Sequence, residues 1–137
     1  MAPYKIGFVA GNFDLIHPGY IKLFQHAKKK CQYLIVGLHH DPSLERKGKM
    51  KPIHNIQERK LILSSIKYID KIIVYKTEKA LLTILKSNKI DIRFLDDSYK
   101  GIDFTGKELD LKISWVPRKH HYSMTYLKKQ IIKASIT

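Results

Sequence analysis

At 137 residues the chain is about 0.9 of a typical domain of roughly 150, so one compact unit over residues 1–137 is expected, and a second catalytic domain has to come from another chain. With 44% hydrophobic and 28% charged residues it can bury a sizeable core, which excludes a disordered tail. Lysine and arginine outnumber aspartate and glutamate by 26 to 12, a net charge of +14 that favours phosphate-bearing ligands, nucleic acid or an anionic membrane surface.

Tyr4 to Ala10 is a β-prone run ending at Gly11 and Asn12, and Pro18 follows where a helix can begin, because its missing N–H costs nothing in a first turn. Met1 to Gly11 holds one lysine, no long apolar stretch and no small-residue cleavage site, so it reads as a first strand and not as a signal peptide. A helix is expected over Gly19 to Lys30, with Ile21, Phe24 and Ala27 or Lys28 along one side and three lysines at its C-terminal end, where the helix dipole favours cations. Cys31, the sole cysteine, can form no internal disulfide and gives the seven histidines no thiolate cluster for structural zinc. A reducing, cytoplasmic setting is the expectation.

Tyr33 to Leu38 is nearly continuous in apolar character, as in a parallel strand covered on both faces. His39 to Asn55, polar and basic with Pro42, Gly48 and Pro52, reads as a surface loop. A helix over Ile56 to Lys67, with Leu61, Ile62 and Ser65 near one face, precedes a strand over Lys71 to Tyr75, a helix over Glu78 to Ser87 and a strand over Asp91 to Leu95. Asp96 to Lys107, with Gly101 and Gly106, forms a second loop. Leu111 to Val116 is a fifth strand stopped by Pro117, and Ser123 caps a last helix from Met124 to about Ala134. No run approaches the roughly 20 apolar residues that span a bilayer.

That order predicts an α/β fold: a Rossmann-like, doubly wound, five-stranded parallel sheet with helices on both faces. Ligands of such folds bind beyond the carboxyl ends of the strands, which singles out Gly11 to Tyr20, His39 to Asn55, Asp96 to Lys107 and Arg118 to Thr125. The histidines and arginines concentrate in those segments.

Two of them carry chemistry. In Gly11-Asn12-Phe13-Asp14-Leu15-Ile16-His17-Pro18-Gly19-Tyr20, a glycine after the first strand permits close backbone approach, and a histidine at a helix N-terminus can donate to phosphate oxygens. The competing reading makes His17 a helix cap and Phe13 a core residue. In Pro117-Arg118-Lys119-His120-His121-Tyr122-Ser123-Met124-Thr125, hydroxyls in a helix's first turn and the Arg118 guanidinium can cradle a second anion, or Ser123 can be an ordinary cap among solvated basic residues. Neither segment is a dinucleotide fingerprint or a Walker motif.

Gly11 to Tyr20 resembles the (T/N)FDxxHxGH signature of the nucleotidyltransferases related to glycerol-3-phosphate cytidylyltransferase, and Ser123 to Thr125 resembles the second signature of that family, RTEGISTT. Gln57-Glu58-Arg59 is similar to the family's Glu-x-Arg helix and Leu95-Asp96-Asp97 to its Gly-Asp-Asp region. The resemblance implies that His17, with Gly11, Asn12, Phe13, Asp14, Gly19 and Tyr20 around it, meets a nucleoside triphosphate. It further implies that Arg118 and Ser123, Met124 and Thr125 bind the β- and γ-phosphates, that Arg59 holds nucleotide or phosphate, and that Asp96 and Asp97 lie near the nucleotide. His120 and Tyr122 join the candidate phosphate-binding residues, with His120 or His121 able to restore a positive donor. A lysine of the 47–51 loop, taken as Lys47, approaches the phosphates of both substrates. Magnesium as cofactor and a homodimer are implied as well. Tyr20 stands where the signature has its second histidine, and Lys119-His120-His121-Tyr122 and Met124 depart from the second signature.

The implied reaction is attack by a phosphomonoester oxygen on the α-phosphate of CTP, with pyrophosphate leaving. No general base is needed, because the nucleophile is already anionic; positioning and neutralising two anions is the task. His17 and Lys47 would stabilise the α-phosphate, Arg118 and Ser123 the leaving group. An adenylyltransferase using ATP with a small phosphorylated acceptor, and a nucleotide- or RNA-binding protein on the same fold, stay open beside it.

Overall fold

A computed structural model describes residues 2–136; Met1, part of the leading segment above, lies outside them. Five strands, β1 (Tyr4–Gly11), β2 (Cys31–His39), β3 (Lys71–Tyr75), β4 (Ile92–Asp96) and β5 (Lys112–Val116), form one parallel sheet in the order β3-β2-β1-β4-β5. Four helices, α1 (Pro18–Lys30), α2 (Ile56–Ser64), α3 (Glu78–Ser87) and α4 (Met124–Ile136), complete the doubly wound architecture. Short 3₁₀ turns at Pro42–Leu44 and Asp97–Tyr99 interrupt the two long loops.

Alternate residues of each strand feed opposite faces, because strand side chains alternate with period two. Val9, Leu34, Val36 and Phe94 join Phe24 and Leu63 on one side; Phe8, Ile35 and Tyr75 join Leu81, Ile84 and Leu85 on the other. Each such buried side chain contributes about 1.5–3 kcal/mol relative to exposure. Strand order reverses between β1 and β4, so the crevice at their carboxyl ends is the fold's natural ligand seat.

The helix expected to reach Lys67 stops at Ser64. The hydroxyls of Ser64 and Ser65 both donate to the Leu61 carbonyl, the local competition by which serine ends helices. Its inward face also differs: Leu61 is 69% exposed, whereas Arg59 and Leu63 are buried. Periodicity misassigned that face because the buried Arg59 interrupts it. Among the described residues, no helix is long and apolar enough to cross a membrane.

Candidate active site

The segment after β1 is under backbone strain. Phe13 and Leu15 both adopt the left-handed region, φ +44° and +49°, which side chains of this bulk rarely occupy. Three contacts offset that cost. Phe13 is buried against Phe24 and Tyr20, its centroid 5.2 Å from each ring. Asp14 is wholly buried, and its carboxylate accepts the amides of Ile53 at 2.7 Å and His54 at 2.9 Å. His17 is the N-cap of α1, its Nδ1 accepting the Gly19 amide at 3.1 Å.

That cap fixes the tautomer. With Nδ1 accepting, the neutral ring carries its proton on Nε2, which is buried and has no hydrogen-bond partner. Burial, then the nearby His120 and Arg118, hold the His17 pKa below the ordinary histidine value. Tyr20 stacks on the His17 ring at 4.1 Å, and burial pushes its phenol up to about 12. His17 as helix cap and Phe13 as core residue are thus observed, and the far edge of the imidazole is an orphaned donor.

Arg59 is 2% exposed, and its guanidinium donates to four backbone carbonyls: His54 from Nε, Asn12 and His39 from Nη1, and His40 from Nη2. Four of its five N–H groups are thereby engaged, which makes it a clamp on the loops after β1 and β2. Arg118 lies 3.7 Å from the Asp96 carboxylate, and the Nδ1 of His120 accepts the Tyr122 amide at 3.1 Å. Ser123 does cap α4, its Oγ accepting the Tyr126 amide at 3.0 Å.

Two adjoining cavities open here. One, about 300 Å³, is lined by His17, Gly19, Lys22, Arg118, Lys119, His120 and Tyr122 among others. The second, about 260 Å³, takes in Gly11, Asn12 and Phe13 together with His39, Arg46, Lys49, Glu78 and Arg93. Tyr20, Leu23 and Asp96 line both. Asp14, Lys47, Arg59, Asp97, Ser123, Met124 and Thr125, also expected at the site, line neither. In the basic loop it is Arg46 and Lys49 that face a cavity, where Lys47 was expected.

Sequence reasoning missed Arg93. It sits on β4 between β1 and β5, 4% exposed, with Nη1 donating to the Thr105 carbonyl, Nε lacking a partner, and the guanidinium 5.5 Å from the Phe104 ring centre. A charge inside the apolar run Ile92-Arg93-Phe94-Leu95 was the available signal, because such groups are rarely buried without a function or a partner.

His39 Nε2 and carboxylate oxygens of Glu45 and Glu78 lie within 4.8 Å of one another, a spacing that can hold a metal ion. His39 Nε2 is buried without a hydrogen-bond partner. Both carboxylates are engaged, however: Glu78 accepts from Arg46 and Thr105, and Glu45 accepts the Glu78 amide. Magnesium favours an all-oxygen shell, and two guanidinium groups share this cavity wall, so the cluster as arranged fits magnesium poorly.

Comparison with known proteins agrees with the geometry. Residues 8–135 match the model of the family described as cytidylyltransferase-like. The glycerol-3-phosphate cytidylyltransferase of Bacillus subtilis is 34% identical over 122 residues, 88% of this chain and 92% of that protein. The bifunctional protein HldE of Hyphomonas neptunium is 38% identical over 109 residues, 79% of this chain. This chain spans only about a fifth of that protein, 21% of its length. Among solved structures, a lipopolysaccharide core biosynthesis protein from Thermoplasma volcanium aligns over 97% of this chain and 90% of its own with TM-score 0.59 at 22% identity, a likeness of fold.

Proposed function

The chain belongs to the cytidylyltransferase-like family, and from that premise we propose that it transfers a cytidylyl group from CTP to a small phosphomonoester such as glycerol 3-phosphate, releasing pyrophosphate. One observation carries the reading: a buried, unpartnered Nε2–H of His17 at the N-terminus of α1, beside a cavity lined by Lys22, Arg118 and Lys119. An orphaned donor at a helix N-terminus among cations is matched by a phosphate oxygen.

In this reading the triphosphate occupies the His17 cavity, and the acceptor phosphate occupies the neighbouring one, facing Arg46, Lys49 and Arg93. An acceptor oxygen attacks the α-phosphorus across the boundary formed by Tyr20, Leu23 and Asp96, forming a P–O bond as the bond to pyrophosphate breaks. His17 donates to the α-phosphate oxygens as charge builds there, and Arg118, held beside Asp96, receives the leaving pyrophosphate. Tyr20 takes the place of the second signature histidine; its protonated phenol offers one hydrogen bond and no positive charge. The 260 Å³ cavity suits a small acceptor. Arg59 and Asp14 position the loops and leave phosphate contact to others.

Magnesium is expected to arrive with the triphosphate. The exposed Ile131, Ile132 and Ile136 of α4 offer an apolar face for a homodimer. The single buried Cys31 suits a reducing cytoplasm. Pyrophosphate release, measured with CTP or ATP against a panel of phosphomonoesters, with and without magnesium, tests the proposal. CTP-dependent release lost in His17→Ala supports it. ATP-dependent release overturns the base assignment, and nucleotide or RNA binding without turnover with any pair overturns the transferase reading.

A further inference from the structure

His17 and His120 carry the same local device. Each imidazole accepts, through Nδ1, the backbone amide two residues onward, Gly19 for His17 and Tyr122 for His120, at 3.1 Å in both cases. Each ring is thereby held in the tautomer that carries its proton on Nε2. The rings come from opposite ends of the chain, yet they meet over one glycine. A Cβ added at Gly19 would lie 2.9 Å from His17 Cε1, 2.8 Å from His120 Cε1 and 2.9 Å from Tyr122 Cβ. The two side chains line the same cavity, where Lys22, Arg118 and Lys119 supply positive charge. His121, by contrast, is exposed, packs on Tyr122 and Tyr126, and lines neither cavity.

We infer that His120 is a second catalytic residue, paired with His17 across Gly19, whose Nε2–H donates to the same reacting phosphate. The inference rests on the nucleotidyl-transfer reading above and assigns to a loop histidine the second imidazole, which α1, with Tyr20 at that position, does not carry. Two neutral imidazole donors converging on one phosphate need no protonation change during the reaction, and the surrounding lysines and arginine neutralise the charge. Such preorganised donors act where charge develops, and removal of one typically lowers the rate by about 10²–10³-fold.

The variant His120→Asn separates this role from structure, because the asparagine Oδ1 can still accept the Tyr122 amide while the distal donor is gone. Expected is a fall of about 100-fold in kcat, with little change in KM for CTP, an unchanged thermal melt, and His121→Asn close to wild type. Adding Tyr20→His to His120→Asn should recover at least about tenfold of the loss, since it returns an imidazole to the stacking partner of His17. An active wild type that His17→Asn abolishes and His120→Asn leaves within about twofold would overturn the inference while sparing the transferase reading. If the wild type itself turns over nothing, the same question is put to binding. Side-chain ¹⁵N spectra during titration with CTP, which carries the α-phosphate, should move the Nε2 signals of both His17 and His120, and a stationary His120 signal beside a moving His17 signal rejects the pairing.

Discussion

Arg59 donates from Nη1 to the carbonyl oxygen of Asn12 at 3.0 Å, reaching back 47 residues to the turn that leads into His17. The same guanidinium holds carbonyls at the end of β2 and in the loop before α2, so one side chain sets the spacing of three segments around the site. An ammonium group cannot span those acceptors. Arg59→Lys is expected to lower stability by about 3 kcal/mol, because buried carbonyls lose their donors at about 1–3 kcal/mol each and incompletely additively. Urea denaturation should show a lower midpoint with an unchanged slope. A phosphate-binding Arg59 would give the opposite pattern, an unmoved midpoint and weakened CTP binding.

Gly19→Ala tests the convergence of rings at the head of α1. An alanine in an ordinary helix position is favoured over glycine by up to about 1 kcal/mol. Here its Cβ would come within 3.0 Å of His17, His120 and Tyr122 together, two of them fixed by backbone hydrogen bonds. Overpacking of that kind costs about 1–3 kcal/mol. The variant should therefore melt lower than wild type despite its better helix propensity, and bind CTP at least about tenfold more weakly because the rings are pushed out of register. A melt raised by the substitution would mean that the rings give way freely.

Much of this was legible in the sequence, and the physical reasons for the exceptions are specific. Short apolar, β-prone runs bounded by turn residues gave all five strands, and Pro18, whose missing N–H costs nothing in a first turn, gave the start of α1 to within one residue, because both signals are local. Ser123 as the cap of α4 was read the same way. Arg59 is expected to hold nucleotide or phosphate because Gln57-Glu58-Arg59 resembles the family's Glu-x-Arg helix. Only the fold shows four carbonyls converging on its position. Lys47 and Lys49 differ by two places in one loop, and spacing cannot tell which faces a cavity when Gly48, at φ +84°, reverses the local direction. Arg93 was overlooked since a strand residue's environment is set by its neighbours in the sheet, Phe8 and Ile113, which are remote in sequence.

Arg93→Lys addresses the division of the two cavities between substrates. The Arg93 guanidinium is packed on Phe104 and bonded to the Thr105 carbonyl, its Nε is buried without a partner, and the residue lines the cavity assigned to the acceptor. Lysine keeps the charge but loses the planar, multi-donor geometry that recognises phosphate. The acceptor KM should rise by about tenfold, a loss of about 1.4 kcal/mol, while the KM for CTP stays within about twofold. Steady-state kinetics with each substrate varied in turn check this. A rise confined to the CTP constant would exchange the two seats.

The pH dependence follows from the cap at His17. Protonation of this ring must add a hydrogen to Nδ1, the atom that accepts the Gly19 amide, so the charged form breaks the cap of α1. The charged and titratable groups that line its cavity are Tyr20, Lys22 and His26 from α1, Arg118, Lys119, His120 and Tyr122 from the loop after β5, and one carboxylate, Asp96 of β4, which lies 3.7 Å from the Arg118 guanidinium. Its folded-state pKa is depressed, and the unfolded chain therefore binds more protons as the medium becomes acidic. The contribution to stability is complete above about pH 6.5, the unfolded value, and is lost as pH falls toward the lowered folded value. Asparagine caps a helix as well as any residue and has no proton to gain. His17→Asn should therefore lose less stability than wild type in urea titrations compared between pH 7.5 and pH 5.5. A residual slope is expected from His26 and His39, whose burial depresses them in the same direction. Identical slopes in the two proteins would show that His17 stays capped when charged, and the assignment of its Nε2 as a fixed neutral donor would fall with that result.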